Sequence, residues 1–267
     1  MLRDKLAAAM LVAILAVGYC HDAKAEGLPK SGLLPIGEVA KAGSWSGLYI
    51  GGHVGYGWGE WNGPLSYDDH NPNWPQPLLA FDGSDRTIKG DNLLGGLQVG
   101  LMHQMGSWVA GIEADISWTE IDGFGSFMPY PNNPGSPAWD IKTKLDMMGT
   151  VRGRLGYATG SVLTYATAGF AWAQTESSIQ PMYGPISNGL ATSDHIHVGW
   201  TVGGGIEWAL SSSWTMRAEY LYVNLGRMDY AYDGKTAGGQ PYDTDHYHAD
   251  LDLHTVRLGI NYRFGAK

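Results

Sequence analysis

The sequence predicts an all-β fold: an eight-stranded antiparallel up-and-down transmembrane β-barrel with short periplasmic turns and long outer loops. Three observations predict it. Segments of roughly ten residues alternate apolar and polar side chains with period two, as strands do when their faces meet different surroundings. The connections between these segments alternate strictly in length, short then long. Finally, 39 Gly, 11 Trp and 15 Tyr with only 16% charged residues are a poor mixture for helices. They suit twisted strands bounded by aromatic belts.

The chain opens as an export signal. Arg3 and Lys5 precede the apolar run Leu6 to Gly18, which is too short to serve comfortably as a membrane-anchoring helix. Ala23-Lys24-Ala25 has the small-x-small form of a cleavage site, so residues 1–25 are expected to be removed. Cys20 follows Tyr19 where a lipidation site would want a small residue, and it lies inside the removed segment. The remaining chain then has no cysteine, which excludes a disulfide framework and a thiol nucleophile. The formal net charge is −9, and losing residues 1–25 (Arg3, Lys5 and Lys24 against Asp4 and Asp22, net +1) leaves −10. Such acidity argues against nucleic acid as a partner. Residues 26–43 contain Pro29 and Pro35 and no period, as expected of a periplasmic leader. The barrel domain is expected to occupy 44–267.

Eight strands follow. In the first, Leu48, Ile50, Val54, Tyr56 and Trp58 oppose Tyr49, Gly51, His53 and Gly55. In the second, Leu93, Leu97, Val99 and Leu101 oppose Gly96, Gln98 and Gly100. The third is the most regular, with Trp108, Ala110, Ile112, Ala114, Ile116 and Trp118 against Gly111, Glu113, Asp115 and Ser117. The fourth sets Met147, Val151, Leu155 and Tyr157 against Asp146, Thr150, Arg152 and Arg154. The fifth, Val162 to Gln174, is small and aromatic, and its facing is ambiguous. The sixth sets Val198, Trp200, Val202, Ile206 and Trp208 against His197, Thr201 and Glu207. In the seventh, Trp214, Met216, Ala218, Tyr220 and Tyr222 oppose Thr215, Arg217 and Glu219. The eighth, Leu251 to Phe264, sets Val256, Leu258, Ile260, Tyr262 and Phe264 against Thr255, Arg257, Gly259, Asn261 and Arg263.

Met105–Ser107, Ala158–Ser161 and Ser211–Ser213 are the short turns; Gly59–Lys89, Ile121–Asp140, Ser177–Asp194 and Arg227–Ala249 are the long loops. Sorting by length in this way marks an outer-membrane barrel and has no rationale in a soluble sandwich.

In hydrocarbon every backbone polar group needs an internal partner, which a closed barrel supplies. Apolar faces then meet lipid. Trp45, Trp58, Trp118, Trp208, Trp214, Tyr157, Tyr222 and Tyr262 are expected at the interfacial girdles. Polar faces turn inward, gathering Glu113, Asp115, Glu207 and Glu219, together with Asp146, against Arg152, Arg154, Arg217, Arg257 and Arg263. Side chains just fill an eight-stranded lumen. This set is therefore expected to be a packed, mutually satisfied plug rather than the lining of a pore. Glycines such as Gly51, Gly96 and Gly205 are expected at crowded lumen positions; none stands between a strand and a helix as a nucleotide loop requires.

Several segments resemble a known family. WSGLYIGGHVGYGWGE (Trp45 to Glu60), VRGRLGY (Val151 to Tyr157), YATAGFAWA (Tyr165 to Ala173), GWTVGGGIEWAL (Gly199 to Leu210) and AEYLYVNLG (Ala218 to Gly226) are similar to strands of the Gram-negative outer-membrane β-barrel family of small, porin-like surface antigens. The resemblance covers nearly the whole chain after residue 25. It implies an eight-stranded barrel related in shape to the OmpA membrane domain, located in the cell outer membrane. It also implies a structural and surface-antigen role with at most weak passive pore activity. Family members include some with haem-binding or host-contact roles, and no catalytic residues or cofactor are implied. Such barrels usually end in an aromatic residue read by the insertion machinery, whereas here Phe264 is followed by Gly265-Ala266-Lys267.

Three further constellations bear on chemistry. His195 with His197, and His246 with His248, are spaced to share a strand face and hold one metal ion, with Asp243, Asp245 and Asp250 as further donors. The structural alternative is a solvated, acidic, His-rich outer edge. A lipid-modifying enzyme would need a Ser-His-acid group; Ser213 and His197 are present, but no spacing assembles them. Trp61, Tyr67, Trp74, Tyr130, Trp139, Tyr183 and Tyr242 make the outer loops aromatic, either for a host or matrix ligand or for packing on one another. The expected partners are outer-membrane lipid and the barrel-insertion machinery, with that host or matrix ligand as a candidate; oligomeric state is left open.

Overall fold

Period-two alternation becomes a cylinder when every strand pairs on both sides, since closure removes the unsatisfied edges that hydrocarbon would penalise. The computed structural model has this arrangement. Eight antiparallel strands close in sequence order, with β1 pairing β8. They are β1 Gly47–Ser66, β2 Asp85–Met105, β3 Trp108–Phe127, β4 Trp139–Thr159, β5 Val162–Pro181, β6 Ala191–Ala209, β7 Trp214–Lys235 and β8 Pro241–Arg263. The structure describes residues 44–66, 85–127, 139–181, 191–235 and 241–264, with side chains except at the outermost strand tips. The expected signal (1–25), the leader (26–43), Tyr67, Trp74, Tyr130, Tyr183 and the Gly265–Lys267 extension lie outside these residues.

The short turns join β2 to β3, β4 to β5 and β6 to β7. Gly106 (φ 64°) and Gly160 (φ 58°) take the left-handed conformation there, which a residue with a Cβ adopts only at a cost. The long connections are shorter than the sequence predicts. Much of each expected loop is strand: β1 runs on to Ser66, β3 to Phe127, β5 to Pro181 and β7 to Lys235. Strands of 19 to 23 residues are about twice what a bilayer crossing needs, so the sheet continues well beyond the membrane on the outer side.

The lipid-facing belt occupies the inner half of each strand. Ile50, Val54, Leu97, Leu101, Ile112, Leu155, Phe170, Leu258 and Ile260 are exposed on its outside. Edge-on aromatic pairs bound it below, Trp108 with Tyr157 (5.5 Å between ring centres) and Trp214 with Tyr262 (5.2 Å). Trp118 and the pair Trp200–Tyr222 (5.4 Å) bound it above. Trp45 is not in a girdle. It is buried under the lumen, its backbone N–H donating to Gln104 Oε1 (2.7 Å), with the Arg263 guanidinium 4.8 Å from its ring centre.

Above the belt the cylinder divides. β6 and β7 pair from Ala209↔Thr215 only as far as Trp200↔Asn224. The β2–β3 ladder likewise reaches Leu94↔Thr119 and then only Gly90↔Gly123. The other ladders continue, to Pro64↔Asp85 and Ser66↔His246 on one side and to Phe127↔Trp139 and Ile179↔Ala191 on the other. The outer half is thus two four-stranded sheets, β2-β1-β8-β7 and β3-β4-β5-β6, lying face to face. Between them is an apolar core. Trp61, Ile88, Leu221, Val223, Leu251 and Leu253 come from the first sheet, and Ile121, Leu145, Met148, Ala171 and Ala173 from the second. Gly123 makes room for it; a Cβ there would lie 2.8 Å from the Trp61 ring.

Candidate functional site in the barrel lumen

Beneath that core lies a layer of buried charge. Adjacent strands β3 and β4 supply Glu113, Asp115, Arg152 and Arg154 at inward positions, with Glu113 directly paired to Arg152. β6 contributes Glu207, β7 Arg217 and Glu219, and β8 Arg257, each buried. Alternation places them there, because the opposite phase of each strand is committed to lipid.

Arg152 is the hub. Its guanidinium reaches Glu113 (2.5 Å), Asp115 (3.0 Å) and Glu219 (3.0 Å). Arg154 bridges Glu207 (2.8 Å) and Glu113 (3.2 Å), and lies 3.8 Å from the centre of the Tyr165 ring. Arg217 meets Glu113 and stands 3.8 Å from Glu219, while Arg257 donates to Asp115 (2.9 Å). Four carboxylates thus face four guanidinium groups, and the layer is neutral.

Neutral donors add to each carboxylate, while the buried Glu219 Oε2 accepts no hydrogen bond. Glu207 accepts from Thr215 Oγ1 (2.5 Å) and Asn261 Nδ2 (2.9 Å). Glu219 accepts from Tyr165 Oη (3.1 Å), Asp115 from Thr150, and Glu113 from Tyr49 Oη. A second set runs beside it: His53 lies between Gln98 Oε1 (2.6 Å) and Ser117 Oγ (2.9 Å), and Gln98 donates to Asn261 Oδ1 (2.8 Å). The space is close-filled, as at Gly205, where a Cβ would stand 2.6 Å from Tyr165 Oη.

Two residues of the expected set lie elsewhere. Arg263 is inward and buried, but its donors go to backbone carbonyls, Ser44 (3.1 Å) and Ser212 (2.8 Å), so it closes the periplasmic floor rather than pairing with a carboxylate. Asp146 is half-exposed and meets Lys144 (2.9 Å), because the register shifts between Leu145 and Met147 and a bulge turns it out of the lumen. Conversely, Tyr49 and Tyr165 belong to the layer although their aromatic rings gave no sign of it. Their inward phase was the available signal, legible for Tyr49 and obscured in β5 by its small residues.

The paired histidines fall on the outer parts of β6 and β8. His197 Nε2 lies 2.9 Å from Thr175 Oγ1 on the neighbouring strand. His195 lies on the β6 tip, and His246 and His248 on β8, with β7 between; their side chains are outside the described set. Among the described residues no group of three or more His, Cys, Asp or Glu side chains is placed to hold a metal ion. Ser213 sits in the periplasmic turn after β6, roughly 40 Å of strand rise from His197, so that pair cannot share a reaction. Trp61, expected in an outer loop, is a buried core residue.

Comparison with known proteins adds the family. Residues 31–264 match the outer membrane protein beta-barrel domain. The chain belongs to that family. This barrel protein is therefore located in the outer membrane. It is 33% identical over 226 residues to a 31 kDa outer-membrane immunogenic protein of Brucella melitensis, a match covering 83% of this chain and 84% of that one. It is 28% identical over 261 residues to a 25 kDa outer-membrane immunogenic protein of Brucella abortus, covering 97% and 96%. Among solved structures it is similar to the outer membrane protein OprG of Pseudomonas aeruginosa, at 12% identity and a TM-score of 0.45 over 84% of this chain and 97% of that one.

Proposed function

We propose that the protein is a non-conducting, non-enzymatic component of the outer membrane whose activity lies in the strand hairpins it raises outside the cell. One observation carries this reading: among the described residues, side chains fill the lumen from the periplasmic floor up through the outer core. Trp45 and Arg263 fill its floor; above them come Tyr49, Met102, Leu163 and Tyr165, then the charge layer, then the apolar core of the outer half. A hydrated ion finds no polar side chains to follow through the apolar core of the outer half. The Brucella relatives, named outer-membrane immunogenic proteins, support a surface-exposed role. The partner of the hairpins would be a host or matrix ligand.

Planar-bilayer recording of the refolded protein tests this. The expected record is a flat baseline at 100 mV; large, stable, reproducible conductance steps overturn the reading.

A further inference from the structure

The outward side of β1, β7 and β8 carries a polar and aromatic cluster that the lumen does not use. Trp58 stacks on the His254 imidazole, with rings 5.5 Å apart and 12° from parallel. Tyr220 Oη is 2.7 Å from His254 Nδ1, and the Tyr222 ring lies 5.2 Å from the imidazole. One rung higher, Asp252 Oδ1 accepts from both Tyr222 Oη (2.5 Å) and Asn224 Nδ2 (2.8 Å). Trp58 and Tyr220 remain 37% and 43% exposed, so ring faces are available from outside.

Position decides what meets this surface. Below on the same strands come Tyr56, its ring centre 6.3 Å from that of Trp58, and then Val54, Val256, Leu258 and Met216, all exposed in the lipid-facing belt. The cluster therefore stands at the headgroup level of the outer leaflet, where aromatic residues with a polar handle are at home. An ordinary girdle residue acts singly. Here six side chains from three adjacent strands hold one another in place, so little conformational freedom is lost when a ligand arrives.

We propose that Trp58, His254, Tyr220, Tyr222, Asp252 and Asn224 form a binding site for the sugar headgroup of an outer-leaflet glycolipid. A pyranose presents a C–H face that packs on aromatic rings, and hydroxyls that donate to a carboxylate. Both protein donors to Asp252 go to Oδ1, which leaves Oδ2 for a sugar hydroxyl. A simple phosphate headgroup suits the site less. The cations on neighbouring rungs already face acids, Lys89 against Glu60 (2.5 Å) and Arg227 near Asp250 (3.9 Å), and Asp252 itself would repel an anion.

The test uses the full barrel in nanodiscs holding equal amounts of a neutral glucosyl diacylglycerol, phosphatidylcholine and phosphatidylglycerol with the same acyl chains. Lipids retained on the released protein are counted by native mass spectrometry. The glucosyl lipid is expected to be retained about threefold to tenfold over either phospholipid, the range one aromatic stacking contact supplies. Trp58→Ala and, separately, Asp252→Asn should bring it to the phospholipid level with heat-modifiable migration unchanged. Trp214→Ala in the periplasmic girdle should leave retention as it was. Equal retention of all three lipids, preference for phosphatidylglycerol, or indifference to both site variants overturns the proposal.

Discussion

Glu113 and Arg152 occupy directly paired positions on β3 and β4, and their side chains meet at 2.5 Å inside the barrel with no exposure to solvent. Neither group could be buried alone. A lone charge in such a site is compensated by its partner and by further hydrogen bonds, or it destabilises the fold. Truncating Arg152 to Met should cost about 3–5 kcal/mol, because Glu113, Asp115 and Glu219 each lose a donor. Urea titration in lipid, read by the gel-mobility shift of the folded barrel, measures it. A loss below about 1 kcal/mol, the value of an exposed pair, would contradict the burial described.

Charge reversal separates inside from outside. Arg154→Glu would place a carboxylate against Glu113 and Glu207. Arg227→Glu alters a pair already 3.9 Å apart and largely exposed. The first variant is expected to fold poorly or not at all; the second should melt within a few degrees of the parent. Similar melting of the two would reverse the inward facing of β4.

A third expectation concerns Leu253 and Val256, three residues apart on β8. Leu253 is buried in the outer core and Val256 is exposed to lipid. Leu253→Ala should cost about 2–5 kcal/mol through the cavity it leaves. Val256→Ala should cost much less, since acyl chains refill the space. Equal costs would mean that the outer half lacks a packed interior.

The β4–β5 turn supplies a fourth. Gly160 holds φ at 58°, a conformation that a β-branched residue resists. Gly160→Val should lower stability by about 1–3 kcal/mol, and Gly160→Asn by clearly less. Equal behaviour of Val and Asn would show that the turn relaxes to another geometry.

Strand number, order and facing in the membrane half were legible because lipid on one side and a crowded lumen on the other impose a strict two-residue period. The outer half was not legible for a related reason. In β8 the apolar residues sit at even positions from Val256 to Tyr262 and at odd positions at Leu251 and Leu253, yet the β1–β8 ladder runs through without a shift. The same change of phase occurs in β7, from Tyr220 and Tyr222 outside to Leu221, Val223 and Leu225 inside. Read as sequence, a broken period yields no facing: Leu251 and Leu253 fall in the eighth strand without an assigned side, and most of the loop expected over Arg227–Ala249 is strand. Physically the strand continues while its surroundings are exchanged. Below, grease belongs outside; above, water is outside and grease goes in. The charge layer was readable from inward phase alone, but the choice of partners was not. Arg263 faces inward like its neighbours, yet it sits too near the floor to reach a carboxylate.

Because the outer sheets share a packed apolar interior, the outer strand ends stand on a braced pedestal. From His254 to Pro241, β8 alone rises roughly 30 Å above the upper girdle. An epitope or adhesive peptide grafted at such an end would stand clear of the lipid headgroups without disturbing the anchored cylinder beneath. That geometry recommends the scaffold for cell-surface display.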